Sequence, residues 1–241
     1  MQRLAGTSQA YISGTNARLP ISPPVLLIIG ETEKAEERLE KKDSESAMKQ
    51  DYGLIFSSNQ VLAKAVVDFA DGKLKYGLIE PAIDSRVLVR TLDMLKGKMK
   101  KDINVLKDDQ LLIKKVKKAC KKYKIEFTNN YFENVKYYLY RDYLHYGKID
   151  PLMFDKNISA IICDGVNKPI SVVYNGKRME TNIVISSNED INNILFRLAK
   201  LTGRVLNSSN PVLSAEANGF KIDGNLGLEE ITSRFMLARK K

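Results

Sequence analysis

Residues 137–165, YYLYRDYLHYGKIDPLMFDKNISAIICDG, constrain the fold more than any other part of the chain. An aromatic helical pattern runs into Gly147-Lys148, a turn starts at Pro151, and a short apolar run ends at Cys163. A helix does not continue through such Gly and Pro punctuation. Five apolar-rich residues, 159–163, are too few for a buried helix and enough for a buried strand. The chain therefore changes here from helical to mixed structure, which makes this stretch a domain junction.

Upstream of the junction, residues 61–69 and 74–79 are β-prone and are separated by Ala70-Asp71-Gly72-Lys73. Asp-Gly tolerates the positive φ of a tight primed turn, which predicts a hairpin. Three amphipathic helices follow. Leu88, Leu92, Leu95 and Met99 form the stripe of the first. Leu112, Val116, Ala119 and Tyr123 line the second, over 109–124. Phe132, Val135, Leu139, Tyr143 and Tyr146 line the third, whose start reads as a capping box from Asn130 to Glu133. Short connections between such helices predict a small bundle.

Downstream, strands are expected at 159–163, 170–174 and 179–185, with Asn175-Gly176 as a second hairpin turn. Ser187 caps a helix carrying Ile191, Ile194, Leu195 and Leu198, and Gly203 suits its C′ position. Three shorter strands are expected at 211–216, 220–224 and 231–238. At the other end of the chain, residues 1–24 are rich in Ser, Gly, Asn and Pro and are expected to be mobile. Residues 25–30 read as a strand, 32–49 as a solvent-facing helix and 52–57 as a further strand.

The expected fold class is α+β. A β-hairpin and three-helix bundle come first, then a smaller α/β domain with a mostly antiparallel sheet. The boundaries are 1–60 for a variable extension, 61–147 for the Lys-rich helical part and 148–238 for the sheet part.

Charge is concentrated rather than spread. Residues 94–124 hold twelve Lys against three Asp, a local +9 beside a whole-chain net charge of +10. Such a segment suits phosphates, acidic lipid or an acidic protein surface, although lysine is also favourable on any solvated helix face. No recognition helix or Gly-rich RNA motif accompanies it, so specific nucleic-acid binding is not expected. A basic nucleic-acid-binding module built on these helices is the alternative reading.

Much chemistry lacks its residues. His145 is the only histidine, and Cys120 and Cys163 are the only cysteines, so there is no zinc spacing, no disulfide framework and no Ser-His-Asp set. Cys163 reads as a small hydrophobe in its strand and His145 as a packed or exposed helix residue. A P-loop requires Gly-Lys followed by Ser or Thr. Gly-Lys at Gly72, Gly97, Gly147 and Gly176 is followed by Leu74, Met99, Ile149 and Arg178. The chain alone is therefore expected to be no P-loop enzyme and to bind no metal. No signal peptide and no bilayer-length apolar run is visible, and two cysteines without a disulfide framework lead to the expectation of a reducing, cytoplasmic setting.

The junction resembles the N-terminal region of archaeal type II/type IV secretion-family ATPases, the hexameric motors of secretion, pilus assembly and archaellum assembly. In that family an aromatic helix runs into the pattern represented here by Tyr146, Gly147, Lys148, Ile149, Asp150, Pro151, Leu152, Met153, Asp155, Ile158, Ile161, Cys163, Asp164 and Gly165. The similarity continues at Pro169-Ile170, Met179-Glu180-Thr181-Asn182-Ile183, Arg197-Leu198-Ala199, Asn210-Pro211 and Gly219. It also takes in Tyr76-Gly77-Leu78-Ile79-Glu80-Pro81 upstream. It covers residues 61–241 and leaves 1–60 without a counterpart.

The resemblance implies that a RecA-like motor domain with the Walker motifs follows in the parent protein. Arg239-Lys240-Lys241 stand where the linker to it would begin, so a fragment is expected. ATP and magnesium would be held by that motor domain, with none bound by this chain alone. In the family, N-terminal basic residues approach the nucleotide phosphates, where a guanidinium offsets charge developing in phosphoryl transfer. The matching positions are Lys221, in place of the family's Arg, and Arg234. Asp223, Gly224 and Leu228 depart from the pattern. Arg197, beside the apolar helix face, is expected in a structural ion pair. The implied partners are the chain's own motor domain, neighbouring subunits of a hexamer and a membrane platform protein at the cytoplasmic membrane. The partner or membrane surface would be formed by Lys114, Lys115, Lys117, Lys118, Lys121 and Lys122.

Overall fold

The computed structural model describes residues 49–57, 60–70, 72–227 and 231–240. The strand expected at 25–30 and the helix expected at 32–49, Lys49 apart, lie outside them, as do residues 1–24. The described fold is α+β. A nine-stranded sheet runs in the order β1-β2-β3-β6-β5-β4-β9-β8-β7. Its strands are β1 (Gln50–Ser57), β2 (Gln60–Ala70), β3 (Lys73–Ile79), β4 (Ile158–Cys163), β5 (Pro169–Tyr174), β6 (Lys177–Val184), β7 (Val212–Ala217), β8 (Phe220–Asn225) and β9 (Arg234–Arg239). Every neighbouring pair is antiparallel except β3 and β6. The helices are α1 (Ser85–Met99), α2 (Asp109–Tyr123), α3 (Asn129–Tyr143), α4 (Asp150–Phe154) and α5 (Asn188–Leu201).

Both Gly-containing turns form as their chemistry dictates. Gly72 has φ +73°, and the pair Asn175-Gly176 has φ +46° and +81°, the two positive values of a type I′ hairpin. At the end of α5, Gly203 (φ +64°) takes the C′ position. Its N–H donates to Lys200 O, and that of Arg204 donates to Ala199 O, a Schellman closure.

Two hydrophobic clusters share α3 as a common wall. Phe132, Val135 and Leu139, at i, i+3 and i+7, pack with Val87, Leu95, Leu106, Leu112, Val116 and Ala119 in the helical cluster. Tyr137, on another face of α3, joins the sheet cluster, which runs from Leu62 on β2 to Leu237 on β9. Strands from both ends of the described residues thus contribute to one core. In α1 the buried line is Val87, Thr91 and Leu95, while Leu88, Leu92 and Met99 are partly buried beside it. The helix wraps its contact one residue to the side of the expected stripe.

Three local expectations are corrected. The cap of α3 is Thr128, in extended conformation, whose hydroxyl accepts from Tyr131 N–H; Asn130 lies inside the helix, and Glu133 accepts instead from Ser57 on β1. Residues 231–233 precede the last strand, which starts at Arg234. Of the strand expected to be buried over 159–163, Ile161 and Cys163 are buried, but Ile162 faces the other side of β4 and is half-buried. Alternation along a strand forbids adjacent residues from sharing a face.

Candidate functional site

The junction folds around polar contacts that hold it rigid. After α3 stops at Leu144, Gly147 turns with φ +65° and α4 begins with Pro151 in its first turn. Asp150 makes no capping bond to α4. Its buried carboxylate instead faces His145, whose Nδ1 lies 3.2 Å from Oδ2. The hydrogen bond that Asp150 accepts from the imidazole holds the His145 pKa above its ordinary value.

Among the described residues Arg197 does not form the expected ion pair. Its guanidinium donates to His145 O at 2.9 Å and to Asp142 O, the carbonyls left open where α3 ends. Burial, the largest influence, lowers the Arg197 pKa, while the helix C-terminus supplies the partial negative charge that holds it.

A second carboxylate, Asp155, is 2% exposed and accepts from Tyr52 Oη (2.5 Å), Tyr76 Oη (2.8 Å) and Asn157 N–H (2.9 Å). Tyr174 Oη lies 3.3 Å from Tyr52 Oη and itself donates to Gln50 Oε1. Burial first, then the Asp155 charge, drives the Tyr76 pKa far above the ordinary phenol value. One acid thus ties β1 and β3 to the end of α4, and Tyr52 carries the network on to β5. Glu80 plays the matching part above the hairpin, accepting from Tyr137 Oη and Arg141 Nη1, both at 2.5 Å.

Arg234 and Lys221 lie on the sheet face opposite the one that buries Phe235 and Ile222. Arg234 is exposed, and its Nε donates to Asn225 Oδ1 at 3.0 Å from the directly paired position on β8. Lys221 is four residues along β8, roughly 13 Å at strand rise, and sits 3.5 Å from Asp223 Oδ2. The two bases share a face without converging on one point. Beside Arg234 a groove of about 660 Å³ opens over β4, β9 and β8. Ile162, Val212, Ile231 and Met236 make it apolar, and Asp164 and Arg234 supply charge at its rim.

The lysines lie on the helical hairpin. On α2, Lys114, Lys117, Lys118, Lys121 and Lys122 are exposed and Lys115 half-buried, opposite Leu112, Val116 and Ala119. The Arg86 guanidinium stacks 5.1 Å from the Tyr123 ring, which puts the end of α2 beside the start of α1. The lysines therefore run the length of the hairpin. None of the twelve pairs with a carboxylate among the described residues. The nearby acids are engaged elsewhere, with Asp102 and Asp108 accepting from N-terminal N–H groups and Asp109 bonded to Lys136.

Among the described residues no cluster of three His, Cys, Asp or Glu could hold a metal ion, and no helix is long and apolar enough to cross a membrane. Sequence reasoning missed Asp155, Glu80 and Asn182. An isolated acid or amide reads as solvated, and nothing local marks it as a partner for residues 57 to 104 positions away.

No family model matches the chain. An uncharacterized protein of Methanocaldococcus jannaschii is similar at 27% identity over 161 residues, 64% of this chain and 64% of that protein. The chain thus spans less than two thirds of that relative's length. Among solved structures, the VirB11 ATPase from the Brucella suis type IV secretion system, in complex with sulphate, is similar at 14% identity and a TM-score of 0.31. That overlap covers 36% of this chain and 26% of the other, and carries no weight for fold or function.

Proposed function

We propose that the chain is an assembly and regulatory module of a hexameric ATPase that powers type II secretion or type IV pilus-like assembly. In this reading the α+β sheet brings Arg234 and Lys221 toward nucleotide held by a motor domain. The lysine hairpin docks on an acidic membrane platform at the cytoplasmic face. The observation that supports it best is the exposed Arg234 on the sheet face opposite Phe235, at the position the family resemblance singles out. A guanidinium is suited to a phosphate oxygen by its forked donors, and Lys221 adds charge without that fork.

Nucleotide hydrolysis tests the reading in two ways. The chain alone is expected to turn over no ATP, and enzyme-like rates would contradict the module role. In the chain joined to its motor domain, Arg234→Ala is expected to lower kcat by roughly 10³-fold or more, the scale of a lost arginine at a γ-phosphate. An unchanged kcat would remove the nucleotide contact from the reading. The unpaired lysines also favour a second reading, a basic nucleic-acid-binding module. Tight duplex DNA binding at physiological salt with a steep salt slope would support it.

A further inference from the structure

The described sheet has two edges, β1 and β7, and the fold treats them differently. Against β2, β1 shifts register twice, between Gly53 and Ile55 and between Ile55 and Phe56. Such bulges twist an edge away from a would-be partner. Against β8, β7 runs through six consecutive pairs, from Val212↔Asn225 to Ala217↔Phe220, without a break. Among the described residues it contains no Pro, no Lys and no bulge, and its one charge, Glu216, is paired with Lys240, so the edge is less protected than β1.

The orientation of its backbone groups follows from the ladder. Leu226 N–H donates to Pro211 O and Lys240 N–H to Gly219 O. Odd-numbered residues of β7 therefore face β8, since hydrogen-bonded pairs alternate along an antiparallel pair. The N–H and C=O groups of Val212, Ser214 and Glu216 point away from the sheet, and none is hydrogen-bonded among the described residues. Unmatched apolar surface lies on the segment leading into this edge. Leu201 is 50% exposed, Val205 70% and Val212 62%.

We infer that β7 pairs antiparallel with β7 of a second copy of this chain about a twofold axis. The strand's own sequence argues for a second copy as the occupant. Centring the pair on Ser214 sets Ser214 opposite Ser214 of the other copy and Val212 opposite Glu216 in both directions. No like charges face each other, whereas like charges directly opposite destabilise a ladder and hydroxyl pairs support it. Glu216 is already neutralised within its own copy by Lys240. The three outward residues of each strand then form three hydrogen-bonded pairs, and two nine-stranded sheets become continuous. The inference needs only this edge and stands apart from the proposed function.

Sedimentation of the full chain across a range of concentrations reads the association directly, with the mass expected to double as concentration rises. Ser214→Pro is expected to weaken that association at least tenfold, because it removes an outward N–H and leaves the β7–β8 ladder intact. Ser214→Cys keeps the strand and is expected to give a covalent dimer with a short thiol cross-linker. Cys120 and Cys163 are buried, and Ser159→Cys, on exposed β4 surface, serves as the control. A chain that stays monomeric at every concentration overturns the inference. So does a dimer that tolerates Ser214→Pro, or one in which Ser214→Cys links no better than the control. Should Ser214→Pro fail to fold, the Ser214→Cys cross-link decides.

Discussion

Asp155 shows how much one buried charge can organise. Two phenols and a backbone N–H donate to it, so the carboxylate keeps hydrogen bonds in place of the water it has lost. Asp155→Ala leaves the buried Tyr76 hydroxyl without its acceptor and takes the shortest bond from Tyr52, and is expected to cost about 3 kcal/mol in urea unfolding. Tyr76→Phe, which removes one donor and leaves the acid bonded to the other two, should cost less than half of that. Equal losses would show that the Tyr76 hydrogen bond carries the whole contribution of the acid.

His145 is the other residue with a measurable signature. Asp150 favours its protonated form, so the folded-state pKa lies above the unfolded imidazole's value near 6.5. A raised pKa stabilises the fold fully below that ordinary value, and the contribution fades as pH rises through the folded value. Lys107 opposes protonation, while the Tyr140 ring packs edge-on and Arg197 holds the backbone carbonyl. Thermal melts at pH 5.5 and 8 should therefore show a larger loss in the wild type than in His145→Gln. Parallel curves would remove the pair from the pH dependence. At this scale little was legible in advance. Ser187 and Gly203 carry their roles in their own chemistry, whereas Asp150 and Arg197 act through partners brought together by the chain's return.

Among the elements, the join between β3 and β6 is the least conventional. Only Lys75↔Glu180 and Tyr76↔Thr181 pair there. Beyond them the Asn182 side chain continues the ladder, its Oδ1 accepting from Leu78 N–H and its Nδ2 donating to Leu78 O, both at 2.8 Å. An amide has the donor and acceptor of a peptide group, so it can stand in for a strand residue. Asn182→Ala is expected to speed hydrogen exchange at the Leu78 amide by more than tenfold while β4–β5 amides stay protected. Uniform acceleration would mean that the seam opens only with global unfolding.

Helix and strand identities here were readable from periodicity, because burying one face of an amphipathic element imposes its period on the residues. The β3–β6 seam was not. Parallel strands remote in sequence meet through a crossover that no local pattern records.

Across the molecule the charge is divided by position. Lysines on the helical hairpin stand without carboxylate partners among the described residues, while Lys64 and Lys221 on the sheet are paired. Binding to phosphatidylserine vesicles should fall by more than roughly tenfold in Lys118→Glu/Lys121→Glu and weaken as salt rises. An unchanged affinity would exclude the hairpin as an anionic docking surface.

What the amino-acid order already contained was local. The hairpin turns at Gly72 and Gly176, the amphipathic helices, the switch from helix to strand near Gly147 and the lysine density of residues 94–124 all depend on neighbours within about a dozen positions. Strand order, the Asp155 and Glu80 networks, the shared face of Arg234 and Lys221 and the unguarded edge at β7 depend on contacts between residues far apart in the chain. Those contacts form where long-range burial outweighs the entropy of closing large loops, and that balance leaves no trace in any short stretch of the sequence.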